Sequence, residues 1–195
     1  MIMKILTFIL LIFFNSFALA DPLKNAIESE IRSDKNVARD VYRHPYETLT
    51  FFGIRPDMTV IELSPGGGWY TEILAHYLKD NGELIAVHFD PSMGDFAKRV
   101  RDNFEKKLAS SSVYDQVKLA SLNSKYSEVE SVDVVVTFRN LHNWIGPNWD
   151  FIIKNSYASL KKGGLLGVVE HRAKEGPSIE NMKKTGYVTE KYAIE

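Results

Sequence analysis

The run Glu62-Leu63-Ser64-Pro65-Gly66-Gly67-Gly68 joins a carboxylate to three consecutive glycines. Glycine has no Cβ, so a ligand can approach the backbone there, and a helix starting behind the run offers unpaired N–H groups. The run reads as a cradle for a nucleotide-like group. Asp90 follows at roughly the twenty-residue interval at which a carboxylate can accept from ribose hydroxyls. Further on, Arg139-Asn140-Leu141-His142-Asn143-Trp144 is rich in polar and aromatic groups. An imidazole with a pKa of about 6.5 accepts a proton at neutral pH, which makes His142 the candidate general base. Asn140 or Asn143 can accept from its other ring nitrogen and so fix its tautomer. Glu170 reads as a strand-end carboxylate paired with Arg172, or as a capping group. A metal set of His142, Glu170 and His171 has no recognised ligand spacing, and no metal is assigned. His44, His76 and His88 read as structural.

Such residues need elements that end at one edge. Residues 60–63 read as a short buried strand, 64–68 as a tight turn, and Tyr70, Ile73, Leu74, Tyr77 and Leu78 as one helical face. A second strand spans 84–89. Phe96, Val100, Phe104 and Leu108 recur at four-residue spacing as a helix, and 116–121 form a third strand. The β-branched run Val132–Phe138 is the clearest buried parallel strand. A periodic helix from Trp149 to Leu160 closes at residues 161–164, and 165–170 are the fifth strand. Strands alternating with helices predict an α/β, Rossmann-like, doubly wound parallel sheet. Ligands of such sheets bind outside the strands' carboxyl ends, near the switch point. Ahead of the sheet, residues 21–53 form an N-terminal helical segment, with a short helix between Pro45 and Gly53. After the fifth strand comes a polar segment with glycine and proline, and residues 186–195 read as the start of a helix.

The composition narrows the function. With 195 residues and 45% hydrophobic content, the chain can bury one core, so residues 21–195 make a single domain. A net charge of −1 gives no footprint for nucleic acid. Absence of cysteine excludes disulfides, zinc–thiolate sites and thiol nucleophiles. Residues 1–20 combine a basic Lys4, an apolar run and Ala18-Leu19-Ala20, the pattern of a secretory signal peptide. The mature chain then starts at Asp21, periplasmic or secreted, with no membrane attachment after cleavage.

Residues 62–68 resemble the first motif of the class I S-adenosylmethionine-dependent methyltransferases, with Ser64 where most of that family carries its first glycine. Leu141-His142-Asn143-Trp144 is similar to the Leu-His-Asp-Trp stretch of small-molecule O-methyltransferases, in which the histidine is the general base. The phrases from Ser64 to Leu74, Phe138 to Trp144 and Gly167 to Arg172 together resemble a group of predicted bacterial methyltransferases bearing signal peptides. The resemblance implies S-adenosyl-L-methionine as cofactor, held by Glu62, Ser64, Gly66, Gly67, Gly68, Asp90 and Asn140, with Ser121 and Leu122 beside the adenine. That family usually sets the acid directly after the strand's last valine, where this chain has His88. The implied activity is methylation of a small acceptor, at oxygen rather than nitrogen, with His142 as catalytic base. The implied fold usually closes with a further helix and an antiparallel hairpin, which this chain lacks if it is truncated at Glu195. Two other readings compete. One is an exported, catalytically silent Rossmann-like binding module, since S-adenosylmethionine is made in the cytoplasm. The other is an NAD(P)-dependent oxidoreductase, disfavoured because the loop begins Glu-x-Ser-Pro-Gly and no Tyr-x-x-x-Lys pair lies near the fourth or fifth strand. The oligomeric state is not legible in the sequence.

Overall fold

A computed structural model describes residues 21–194 of the chain, so the signal-peptide reading of residues 1–20 lies outside the described residues. The chain opens with short helices α1 (Pro22–Ile27), α2 (Asp34–Val37), α3 (Asp40–Arg43) and α4 (Pro45–Phe51). The Asp21 carboxylate caps α1 by accepting from Leu23 and Lys24 N–H, and its other oxygen accepts from the Tyr46 hydroxyl at 2.8 Å. The alternating part follows as β1 (Thr59–Leu63), α5 (Trp69–Leu78), β2 (Glu83–His88), α6 (Asp95–Leu108), β3 (Lys118–Ser121) and β4 (Val132–Phe138). It continues with α7 (Leu141–Trp144), α8 (Trp149–Ser159) and β5 (Leu160–Val169). The last stretch holds β6 (His171–Arg172), α9 (Ile179–Thr185), β7 (Tyr187–Val188) and α10 (Glu190–Ile194).

Strands β1 to β5 form one parallel sheet in the order β3-β2-β1-β4-β5, the doubly wound arrangement that the alternation predicts. Register brings all carboxyl ends to one edge: Leu63 pairs with Val87 and Thr137, His88 with Ser121, and Phe138 with Val169. The chain winds from β1 out to β3, then crosses back to β4, so the switch point lies between β1 and β4.

Side chains alternate between the two faces of a strand, which divides the core in two. Val60, Leu84, Val134 and Val136 pack with Ile73, Leu74 and Leu78 of α5. Ile61, Leu63, Ile85, Val87 and Val135 pack on the other face with Trp144 and Ile152. Glu62, between Ile61 and Leu63, therefore points to the α5 side.

The structure departs from the sequence reading in three places. β5 begins at Leu160, which pairs with Val132, while Val134 pairs with Leu165; residues 161–164 bulge out of the ladder, with Gly163 at a left-handed φ of 81°. The polar stretch after β5 contains α9. One apolar side chain anchors that helix: Met182 is buried beside Val188, and the Ser178 hydroxyl accepts from Asn181 N–H to cap it. Helix α10 starts at Glu190 rather than near Gly186, because Gly186 takes a φ of 76° and ends α9.

Candidate active site

A cavity of about 730 Å³ opens over the switch point, with Glu62, Ser64, Gly66, Asn140 and His142 among its lining. Ser64, Gly66 and Gly68 all have φ between 53° and 76°, so the turn is built from left-handed residues, and one of them is not glycine. Side chains added at Gly66 or Gly67 would meet nothing within 4 Å, which leaves the loop open towards a ligand. Gly68 serves differently: a Cβ there would come within 2.8 Å of the Lys107 side chain of α6. The Ser64 hydroxyl is buried and has no hydrogen-bond partner among the described residues.

Glu62 forms the floor. It is buried and accepts from the Thr71 hydroxyl at 2.6 Å. Loss of water pushes its pKa up to about 7, against the lowering effects of Thr71 and Lys107. Asn140 stands where β4 ends and donates to the Ser64 carbonyl (3.2 Å) and to the Thr137 hydroxyl (3.1 Å). It thereby ties the post-β4 loop to the glycine turn.

The amide is not, however, the partner of His142. That partner is Glu170: His142 Nδ1 lies 3.1 Å from Glu170 Oε2, and Glu170 Oε1 accepts from His171 N–H at 2.9 Å. The reading of Glu170 as an Arg172 partner is thus corrected, since Arg172 pairs with Glu190. A carboxylate on Nδ1–H leaves the Nε2 lone pair available on the cavity side. Gly186 keeps that nitrogen uncovered, for a Cβ at 186 would contact Nε2 at 3.6 Å.

The N-terminal segment docks on the start of α5 and supplies one cavity wall. Trp69 Nε1–H donates to the Asn36 carbonyl at 2.9 Å, and Arg32 grips both oxygens of Asp40 at 2.6 and 2.7 Å. Arg43 lies over the Trp69 ring at 4.7 Å, with its Nε buried and unpartnered. Burial, then the nearby charges of Arg139 and Arg39, pull its pKa down to about 10. Arg139 holds a φ of 60°, donates its N–H to the Val169 carbonyl and brings its guanidinium 3.3 Å from His171 Nε2.

The β2–β3 end of the edge is finished otherwise. Asp90 Oδ1 accepts from Ser92 N–H at 2.8 Å, and the carboxylate pKa is lowered chiefly by Ser92, with Ser121 contributing. It does not line the large cavity. Leu122 is buried and lines a separate cavity of about 280 Å³ with Met93, Asn123, Phe151 and Ile152, while Ser121 ends β3 beside His88. His88 is fully buried and stacks on Phe104 of α6 at 4.9 Å. Its Nδ1 accepts from Phe89 N–H (2.8 Å), so its Nε2–H donates to the Gly66 carbonyl (3.2 Å). Burial holds this neutral ring's pKa below the ordinary value.

Sequence reasoning missed Glu170 as a site residue, and missed Arg39 and Arg43 altogether. The first had a signal, an acid at the end of a strand; the arginines had none, because their segment folds onto the site from far upstream.

A family model described as a methyltransferase domain matches residues 61–168, more than half of the chain. Among solved structures, a SAM-dependent methyltransferase from Aquifex aeolicus is similar with a TM-score of 0.61 and 17% identity, covering 89% of this chain and 84% of that one. A sarcosine dimethylglycine methyltransferase, so described as putative, from Galdieria sulphuraria gives 0.55 and 13%, over 77% and 52%. A glycopeptide N-methyltransferase complexed with S-adenosyl-L-methionine gives 0.51 and 19%, over 68% and 52%. Ribosomal RNA small subunit methyltransferase H of Fusobacterium nucleatum is 36% identical over 62 residues, 32% of this chain and 20% of that protein. The chain thus matches about a fifth of the length of that curated relative. Family match, parallel sheet and strand-end glycine loop agree, and the chain belongs to the methyltransferase domain family.

Proposed function

We propose that this protein methylates an oxygen of a small acceptor bound in the large cavity, with His142 as general base. The observation that carries the reading is the His142–Glu170 pair, which turns Nε2 towards the same cavity that the glycine loop lines. The residues fit the cofactor: the Ser64 hydroxyl is a buried polar atom lacking a partner, and the space above Gly66 and Gly67 is open. Ser64, Gly66, Gly67, Glu62 and Asn140 would hold it, with Gly68 packing under α6. When bound, S-adenosylmethionine supplies a methyl group on a sulfonium, and the carbon–sulfur electron pair leaves with the sulfur. His142 Nε2 takes the proton from the acceptor hydroxyl, and Glu170 stabilises the imidazolium that results. Bringing acceptor and methyl donor together in one cavity contributes up to about 7–11 kcal/mol in favourable cases. A volume of about 730 Å³ has room for a small acceptor beside the cofactor.

Methyl transfer from labelled cofactor to a panel of phenols, catechols and hydroxy acids tests this. On the best acceptor, His142→Ala is expected to lower turnover by about two to four powers of ten while S-adenosylhomocysteine still binds. Near-normal turnover in the mutant would make His142 structural and leave catalysis to positioning.

A further inference from the structure

We propose that the acceptor is an anion, a small hydroxy compound whose carboxylate or phosphate is held by Arg43 and Arg139 with Arg39 beside them. This rests on the methyl-transfer reading above. The three arginines converge on the large cavity from two places, the N-terminal segment and the loop after β4. Among the described residues no carboxylate lies within ion-pair distance of any of the three, although other arginines and lysines on the molecule do have such partners. Asp40, the nearest acid in the chain, is occupied by Arg32 through both oxygens, and Lys107 is paired with Glu72. Arg43 is half-buried and its Nε, enclosed against Trp69, has no acceptor. Arg139 is half-buried and Arg39 exposed; burying part of a guanidinium without a counter-charge is costly, and like charges beside Arg43 raise that cost.

The cofactor does not relieve this. Its methionine part carries one carboxylate but also an ammonium and the sulfonium, so it enters with a net positive charge. Glu62 is the one carboxylate among the described residues of this lining, and burial raises its pKa to about 7. Glu170 lines an adjoining cavity with the same three arginines, but it lies beyond ion-pair distance of them and is engaged by His142 and His171 N–H. An anionic ligand would supply the direct counter-charge that the chain does not. Guanidinium groups present paired donors that match the paired oxygens of a carboxylate or phosphate. With the anionic end fixed there, a hydroxyl elsewhere on the same small molecule is offered to His142, which lines the same cavity.

Titration calorimetry separates this proposal from the reading beneath it. S-adenosylhomocysteine alone tests cofactor binding. Then 4-hydroxybenzoate, phenyl phosphate and the neutral 4-hydroxybenzamide are titrated with and without saturating S-adenosylhomocysteine. Both anions, or whichever of carboxylate and phosphate is the native group, are expected to bind roughly ten- to a hundredfold tighter than the amide. Arg43→Gln and Arg139→Gln should each abolish that preference while S-adenosylhomocysteine affinity stays within about threefold. An amide that binds as well as both anions overturns the proposal, and that comparison uses the unaltered protein. Parallel loss of S-adenosylhomocysteine and anion binding in the Gln variants also overturns it, assigning the cluster to the cofactor. An intact anion preference in a protein that does not bind S-adenosylhomocysteine would support the anion site and remove the methyl-transfer reading.

Discussion

The two halves of the strand-end edge are built on opposite principles. At the β2–β3 end, polar groups are satisfied by the chain itself: both ring nitrogens of His88 are bonded and Asp90 caps Ser92. At the β1–β4 end they are left wanting, with the Ser64 hydroxyl and Arg43 Nε buried and unpartnered over a 730 Å³ cavity. An unmet buried polar group costs about 1–3 kcal/mol. A chain that pays this repeatedly in one place, and nowhere along the neighbouring strand ends, has set that place aside for ligands. Satisfied polar groups on the same edge mark scaffold, even where sequence spacing alone gives both halves similar weight.

The largest effect that tests this contrast is on stability against pH. Glu62 in the open half has its pKa raised to about 7 from an ordinary 4.5. The native state therefore holds a proton that the unfolded chain has released, and the resulting stability is complete below about pH 4.5 and lost as pH rises through 7. His88 in the closed half has a lowered pKa, so it opposes with the other sign: its stability is present above 6.5 and lost as pH falls below that. Glu62→Gln removes the first dependence and leaves the second. Melting curves of the two proteins should diverge by on the order of 3 kcal/mol between pH 5 and 8, with the wild type losing ground as pH rises. Parallel curves would mean that Glu62 is solvated and that the floor of the open half is not dry.

Asp90 offers a way to break the contrast. Its Oδ1 is committed to Ser92, and the spacing argument assigns the carboxylate to a ribose. The contrast itself predicts unchanged S-adenosylhomocysteine affinity in Asp90→Ala, read by calorimetry, whereas a loss of about 1.5–3 kcal/mol, the scale of a hydrogen bond to a charged group, would put a ligand contact on the closed half and break the contrast. Unchanged affinity would leave Asp90 as a cap and make the β2 end scaffold throughout.

How much of this was legible follows from what each feature depends on. β4 was read to the residue because a β-branched run buried on both faces has no other interpretation. The α6 stripe was read from spacing, yet Phe104 is 1% exposed and Phe96 61% exposed. Periodicity locates a helix face but not the part of it that meets a partner, here His88 and Gly68. The His142–Glu170 pair depends on β4 and β5 being neighbours with Phe138 opposite Val169, which is a fact of register. The arginine cluster depends on how the segment before β1 docks, through contacts such as Trp69 Nε1–H to Asn36, that leave no periodic trace.

The smallest expected effect is the sharpest test of the open half. Ser64 sits at φ 53°, a left-handed conformation that costs an L-residue about 1–2 kcal/mol, and its hydroxyl is orphaned. Glycine, which the resembled family carries here, takes that φ without strain, though its greater freedom in the unfolded chain offsets roughly 0.5–1 kcal/mol. Ser64→Gly should therefore stabilise the ligand-free protein by about 1 kcal/mol in urea unfolding. The same change removes a hydrogen-bonding group from the cavity, so S-adenosylhomocysteine affinity should fall by about 0.5–1.5 kcal/mol. Opposite signs in the two measurements are what a residue kept for its ligand, at a cost to the fold, must give. If stability rises and affinity stays the same, the hydroxyl touches nothing that binds, and its lack of a partner no longer distinguishes the open half from the closed one.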